Sequence, residues 1–141
     1  MKNVLRLIAI IATVAGCGTS AQAQQPGKIP TVGVLVSGTP SELAPRMDEF
    51  RQRLRDLGYV EGKNIVIEQR SSDGTAGSQA SLAAELVGLK VAVIVTMGTG
   101  TTQAAKNATG TIPIVMTYVS DPIGFGFVAS LARPGGNITG M

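Results

Sequence analysis

Thr31-Val-Gly-Val-Leu-Val-Ser37 is a short, nearly continuous apolar run rich in β-branched residues, which is how a strand buried on both faces reads. Beyond it, Leu43, Met47, Phe50, Leu54 and Leu57 recur at steps of four, three, four and three, the spacing of one helical stripe. Gly58 follows as a C′ stop. The other face carries Arg46, Glu49, Arg53 and Arg55 and reads as solvated, with Glu49 and Arg53 an i,i+4 pair. Asn64-Ile-Val-Ile-Glu68 predicts a second strand, entered through the turn Glu61-Gly62-Lys63 and closed by Asp73-Gly74. Ser78 to Leu89 predicts a helix with Leu82, Leu86 and Leu89 on one face. Lys90-Val-Ala-Val-Ile-Val-Thr96 predicts a third strand, Thr101 to Thr109 a short helix ended by Gly110, and Ile112-Pro-Ile-Val-Met116 a fourth strand. Pro113 lacks an N–H, so that strand starts at or near the Pro or has a free edge there.

Strands alternating with helices predict an α/β fold: an open parallel sheet with helices on both faces and right-handed crossovers. Such sheets bind ligands outside the carboxyl ends of their strands. That directs attention to four loops: Ser37 to Thr39, Ser71 to Gly74, Met97 to Thr101, and Thr117 to Pro122.

Residues 1–23 read as an export signal. Lys2 and Arg6 form a basic n-region, Leu7 to Ala15 an apolar h-region, and Ala21-Gln22-Ala23 the small-x-small pattern of a cleavage site. The apolar run is shorter than the roughly 20 residues of a membrane-spanning helix. Overlapping it, Val14-Ala15-Gly16-Cys17 resembles the lipobox of bacterial lipoproteins, with a lipoprotein signal of 1–16 and Cys17 as the acylated anchor. Either way the expectation is a periplasmic or extracytoplasmic protein, with 24–30 a linker and 31–141 a single α/β lobe.

Loss of the signal removes two cations and no acid, so the formal charge of +3 becomes +1. A nearly neutral domain with 4% aromatic residues lacks the basic footprint of a nucleic-acid binder. One Cys excludes an internal disulfide. The chain has no His, which excludes hydrolytic triads, Cys-His sites and His-based zinc sites. No cofactor is expected.

Gly98-Thr-Gly-Thr-Thr102 runs directly into a helix, so Gly98, Thr99, Gly100 and Thr101 are candidates to receive a carboxylate or phosphate through backbone N–H groups and hydroxyls. The alternative is a tight turn capped by Thr101. No Lys follows at P-loop spacing. Ser37, Gly38 and Thr39 make the same kind of turn after the first strand, and Pro40 limits how the next helix starts. Tyr118 and Asp121 follow the fourth strand, where a ring can stack on a ligand and a carboxylate can pair with an ammonium. Asp121 equally suits an Asx turn before Pro122. Asp73 and Asp121 are the only carboxylates near the predicted strand ends, which is too little for acid–base catalysis, and the chain is read as no enzyme. Met97 reads as core lining. Asn107-Ala-Thr and Asn137-Ile-Thr are read as chance matches to glycosylation acceptors.

Phe50 to Ile67, Leu82 to Val87, Val91 to Thr96, Ile112 to Val115, Ser120-Asp-Pro-Ile-Gly124 and Ser130-Leu-Ala-Arg-Pro-Gly-Gly-Asn-Ile-Thr-Gly140 together resemble the ABC-transporter substrate-binding proteins of the type I periplasmic-binding fold, in the tryptophan- and tyrosine-binding lipoprotein group. The resemblance implies one flavodoxin-like lobe of a two-lobed receptor that closes by hinge motion on a small ligand. It also implies ABC permease subunits as partners. By it, Ser37, Gly98, Thr99, Tyr118 and Asp121 fall on the ligand-facing rim, with a carboxylate held by Gly98 to Thr101 and an amino group answered by Asp121. Where Phe125 stands the family usually has a small residue, which bears on the helix entry or the ligand shape. Family members run to roughly twice this length, so the expectation is a first lobe without the second and with weak ligand affinity. Rival readings are a regulator-type effector domain and a flavodoxin-like enzyme, binding a small sugar or phosphate ligand.

Overall fold

β1 (Thr31–Ser37) lies inside the sheet, paired in parallel with β2 (Val66–Ser72) on one side and β3 (Val93–Met97) on the other. We describe residues 28–140 from a computed structural model of the chain; the signal, Cys17 and linker residues 24–27 lie outside the described residues. The remaining elements are α1 (Pro40–Asp56), α2 (Ala76–Gly88), α3 (Thr99–Ala108), β4 (Ile114–Thr117) and β5 (Ile138–Gly140). The sheet order is β2-β1-β3-β4-β5, all parallel, with Thr31 opposite Val66, Val32 opposite Val93, Ile94 opposite Ile114 and Ile114 opposite Ile138.

This order makes the chain step one way from β1 to β2 and the other way from β2 through β3 to β4. A uniform crossover hand then requires α1 on one face and α2 and α3 on the other. The two cores match. On the α1 face, Val32, Val34 and Val36 of β1 meet Leu43, Met47, Ile65 and Val95. On the opposite face, Leu35 and Ile94 meet Ala83 and Leu86 of α2 and Ala104 and Ala105 of α3. Successive strand residues alternate between the two cores, and both are apolar. The predicted fold class is therefore the observed one.

Boundaries shift for local reasons. β2 starts two residues later than Asn64 and continues through Glu68-Gln-Arg-Ser-Ser72. It pairs only with β1 and its side chains are mostly half exposed, so a polar sequence suffices there. Arg70 bonds Glu85 of α2 at 2.9 Å and Glu68 at 3.1 Å, and this raises its pKa further. β3 starts at Val93, because Leu89 caps α2 and Lys90 turns the chain with φ +54°. Leu57 and Leu89, expected on buried stripes, are C-cap residues turned to solvent. β4 starts after Pro113. β5, at Ile138–Gly140, where the sequence predicts no strand, pairs with β4. No helix covers the β4-to-β5 crossover; Phe127 and Val128 enter the core there instead.

Two acids hold helix starts. Thr39 donates its amide and its hydroxyl to Glu42, each at 2.8 Å, as Pro40 opens α1. The Thr39 amide, then its hydroxyl, draws the Glu42 pKa below its ordinary value of 4.5. Asp73 accepts from the Thr75 amide at 2.9 Å and its hydroxyl at 2.8 Å, which lowers its pKa in the same way, while Thr75 caps α2.

Gly33 shows how tightly the sheet meets α2, since a Cβ added there would lie 3.1 Å from Leu86 Cδ2. Leu86→Ala is expected to cost about 2–5 kcal/mol in urea denaturation. Gly33→Ala should cost less in that background than in the native chain, a coupling read from the double-mutant cycle; strict additivity would contradict the contact. For Glu42, a folded pKa below the unfolded one means a contribution present above pH 4.5 and lost as pH falls through the folded value. Glu42→Gln should therefore flatten the fall of thermal stability below pH 4.5, and an unchanged acid limb would refute the assignment.

Candidate functional site

The order reversal at β1 leaves a crevice between the carboxyl ends of β1 and β3, the place where open α/β sheets take ligands. Ser37 and Gly38 leave β1 on one side of it. Gly98 and Thr99 leave β3 on the other, with Tyr118 beyond them at the end of β4. The sequence-predicted residues of these three loops therefore do share one edge of the sheet.

Gly98 organises that edge. It is the N-cap of α3 with φ +105°, a conformation that suits glycine. Its N–H donates to the Thr117 carbonyl at 2.8 Å, which ties the end of β3 to the end of β4. Its carbonyl accepts from the Thr102 amide at 3.1 Å, the Thr101 hydroxyl at 3.0 Å and the Thr102 hydroxyl at 2.8 Å. Below it the buried hydroxyls of Thr96 and Thr102 are 2.7 Å apart, and Thr117 Oγ1 donates to the Thr96 carbonyl at 2.9 Å. Among the described residues no buried side-chain polar atom lacks a partner.

This bonding sorts the candidates. The Gly38 amide is spent on the Ser72 carbonyl at 3.1 Å, and Thr39 on Glu42. Thr101 is buried and its hydroxyl points back to Gly98, so it is neither the cap of α3 nor a surface donor. The amides of Thr99, Gly100 and Thr101 precede the first intrahelical bond at the positive end of α3; Thr101 is buried, which leaves those of Thr99 and Gly100 nearest the surface, with the hydroxyls of Ser37 and Thr99. Gln79 of α2 closes over Gly100, with Oε1 2.7 Å from where a Cβ would stand. Two amides beside small hydroxyls suit a carboxylate. A phosphate cradle would need the donors that Gly98, Thr101 and Thr102 already spend internally.

Asp121 does not form the expected Asx turn but caps the turn that follows: Oδ1 accepts from the Gly124 amide, three residues on, at 2.8 Å, and a side chain at Gly124 would collide with its carboxylate. The carboxylate is otherwise exposed. Tyr118 is 70% exposed with φ +57°, strained backbone for a bulky residue. Arg46, read as a solvent-facing charge, lies with Cζ 5.3 Å from the Tyr118 ring centroid. Arg46, Phe50, Val95, Met97, Val115 and Tyr118 border a cavity of about 370 Å³ on the α1 face. No sequence signal marks the Arg46–Tyr118 pair, because its partners are far apart in the chain. The Thr39 and Glu42 pair, not singled out above, does carry one, the Thr-x-x-Glu spacing of a capping box. Phe125 stacks on Phe127 at 5.8 Å beside Lys106, on the α3 side of the sheet, so its size bears on that packing. Among the described residues there is no cluster of three or more metal-ligating side chains, and no helix is long and apolar enough to cross a membrane.

A tyrosine-binding protein of Clostridioides difficile is 42% identical over 91 residues, which is 64% of this chain and 26% of that protein. A solved conserved domain protein from Vibrio cholerae superposes with a TM-score of 0.75 at 35% identity, covering 80% of this chain and 38% of the other. An ABC domain from Streptococcus pneumoniae, solved in complex with L-Trp, gives 0.74 at 28% identity, covering 81% and 38%. The chain thus spans about a quarter to two fifths of the length of these relatives. The profile of the family described as ABC transporter substrate binding protein matches residues 28–141, and the chain belongs to that family.

Proposed function

We propose that residues 31–141 form one lobe of a two-lobed receptor that captures a free amino acid and hands it to the permease of an ABC importer. The observation that carries the reading is the pair of unbonded amides at Thr99 and Gly100, on a helix start whose Gly98 is tied to Thr117, the residue before Tyr118. The amides and the helix dipole hold the ligand carboxylate. Asp121 answers the ammonium through the oxygen its turn leaves free, and Tyr118 packs on the ligand side chain. A relative that binds tyrosine and another solved with L-Trp favour an aromatic amino acid.

The strain at Tyr118 supports the same reading, since backbone cost of this kind is kept where a side chain must be presented. No bond-making step is assigned to the chain. The signal at 1–23 and the lipobox Cys17 would put the lobe outside the cytoplasm, with Cys17 as a lipid anchor. One lobe offers only part of the contacts of a closed receptor, so its own affinity is weak.

Titration of the chain with L-tryptophan, followed by amide NMR shifts, should move Thr99, Gly100, Tyr118 and Asp121, with a dissociation constant near ~1 mM. Asp121→Ala should abolish saturation. Undiminished affinity in that variant, or shifts confined to Phe50 and Val115, would overturn the site, and micromolar binding would overturn the single-lobe account. Tyr118→Asn, which tolerates positive φ, should leave stability equal or raise it by up to about 1 kcal/mol while weakening ligand binding. A stability loss of that size would instead make Tyr118 a packing residue.

A further inference from the structure

Gln79, in the first turn of α2, is only 8% exposed, yet its side-chain amide forms no hydrogen bond with any described residue. Its polar neighbours are committed elsewhere. The Ser78 amide donates to Thr75 Oγ1 at 3.3 Å, the Ser81 hydroxyl to the Gly77 carbonyl at 3.1 Å, and Gln103 Nε2 to Asn107 Oδ1 at 2.9 Å. A buried amide without a partner is costly and calls for a reason. Since no wholly enclosed side-chain polar atom goes unpaired among the described residues, the amide keeps an opening to the outside. That opening is a cleft of about 160 Å³ between α2 and α3, bordered by Gln79, Gly100, Ala76 and Ala104.

The end of the side chain is placed by Gly100. Oε1 lies 2.7 Å, Nε2 3.1 Å and Cδ 3.3 Å from where a Cβ of that residue would stand. Gly100 has no positive φ to serve, and a glycine weakens a helix, so the close approach of Gln79 is what its missing side chain permits. The turn that Gln79 lies against presents the unbonded Thr99 and Gly100 amides at the positive helix end. One unpartnered side-chain amide and two unpartnered backbone amides thus meet at the start of α3.

We propose that Gln79 is a third donor of the carboxylate site, its Nε2–H group taking one oxygen of the ligand carboxylate beside the Thr99 and Gly100 amides. The assignment rests on the reading of this helix start as the carboxylate site. Two backbone amides on one turn accept any small anion. A donor directed from a second helix restricts the site to an anion that α2 and α3 can hold together, and binding supplies the partner that the buried amide lacks.

The test is titration of the full chain with L-tryptophan and with tryptamine, which has no carboxylate, followed by amide NMR shifts and by thermal melts. Gln79→Met keeps the length of the side chain and removes its amide. It should melt at or above the native temperature, because no bond is lost, and bind L-tryptophan about tenfold more weakly, the share of one hydrogen bond to a charged group. Tryptamine should bind the native and Gln79→Met chains alike. Gln79→Glu, which sets a carboxylate in place of the donor, should lose L-tryptophan binding altogether. Gly100→Ala displaces the amide and should weaken L-tryptophan to a similar degree, with no further loss when combined with Gln79→Met. Native affinity in Gln79→Met, with Thr99 and Gly100 still shifting, would overturn the role of Gln79 and leave the carboxylate site standing. A clear fall in its melting temperature would make the amide a packing group and overturn that role as well. If L-tryptophan moves neither Thr99 nor Gly100 in the native chain, the carboxylate site itself falls, and Gln79 with it.

Discussion

Everything in this fold follows from the need of a parallel ladder to be covered on both faces. Parallel strands require crossovers, crossovers carry helices, and helices cover faces. Because β1 sits inside the sheet with β2 on one side and β3 on the other, the crossovers must leave it in opposite directions. That reversal supplies α1 to one face and α2 with α3 to the other, and opens the crevice at the carboxyl ends. Core and site are thus consequences of one strand's position. The continuous apolar run of β1, with Val34, Leu35 and Val36 fully buried, is its mark in the sequence.

The site depends on a polar arrangement within this apolar frame. Gly98 is bonded through both its N–H and its carbonyl, and the Thr96 and Thr102 hydroxyls beneath it are buried and paired. Buried polar groups that are fully satisfied fix geometry, whereas half-satisfied ones cost stability. The consequence at the surface is selective: bonding consumes the amides of Gly38 and Gly98 and the hydroxyl of Thr101, Thr101 itself is buried, and the amides of Thr99 and Gly100 are left at the helix end. A loop of small residues that reads as uniformly permissive in the sequence keeps, once folded, few donors near the surface.

The difference between what was legible and what was not follows from the range of the interactions. β1 was read to its bounds because burial on both faces writes itself into every residue. The Leu43 and Met47 stripe and the Gly58 stop were legible for the same reason, since helix periodicity and the left-handed cap are local. Leu57 and Leu89 misled because the spacing continues past the helix end, where the cap turns them outward. β2 ran on through polar residues because an edge strand needs only one covered neighbour. β5 could not be read: Ile138-Thr-Gly140 is too short to show a period, and its pairing rests on β4 and on Asn137, which donates to the Ile112 carbonyl at 2.8 Å.

For the site, topology was legible and donor economy was not. Alternating elements sufficed to name the loops at Ser37, Gly98 and Tyr118, because the carboxyl ends of parallel strands lie at one edge. Which donors those loops retain depends on partners such as Thr117 for Gly98 and Ser72 for Gly38, distant in sequence and fixed only by register. The same register gathers the strand entries, with the described lysines and the exposed Leu57 and Leu89, on the edge opposite the loops of Ser37, Gly98 and Tyr118. A sheet of this kind presents two chemically different ends by construction. The carboxyl end carries the unbonded amides at the start of α3, and the amino end carries ammonium groups and apolar tips. Neither end can be moved without moving the strand order that produced both.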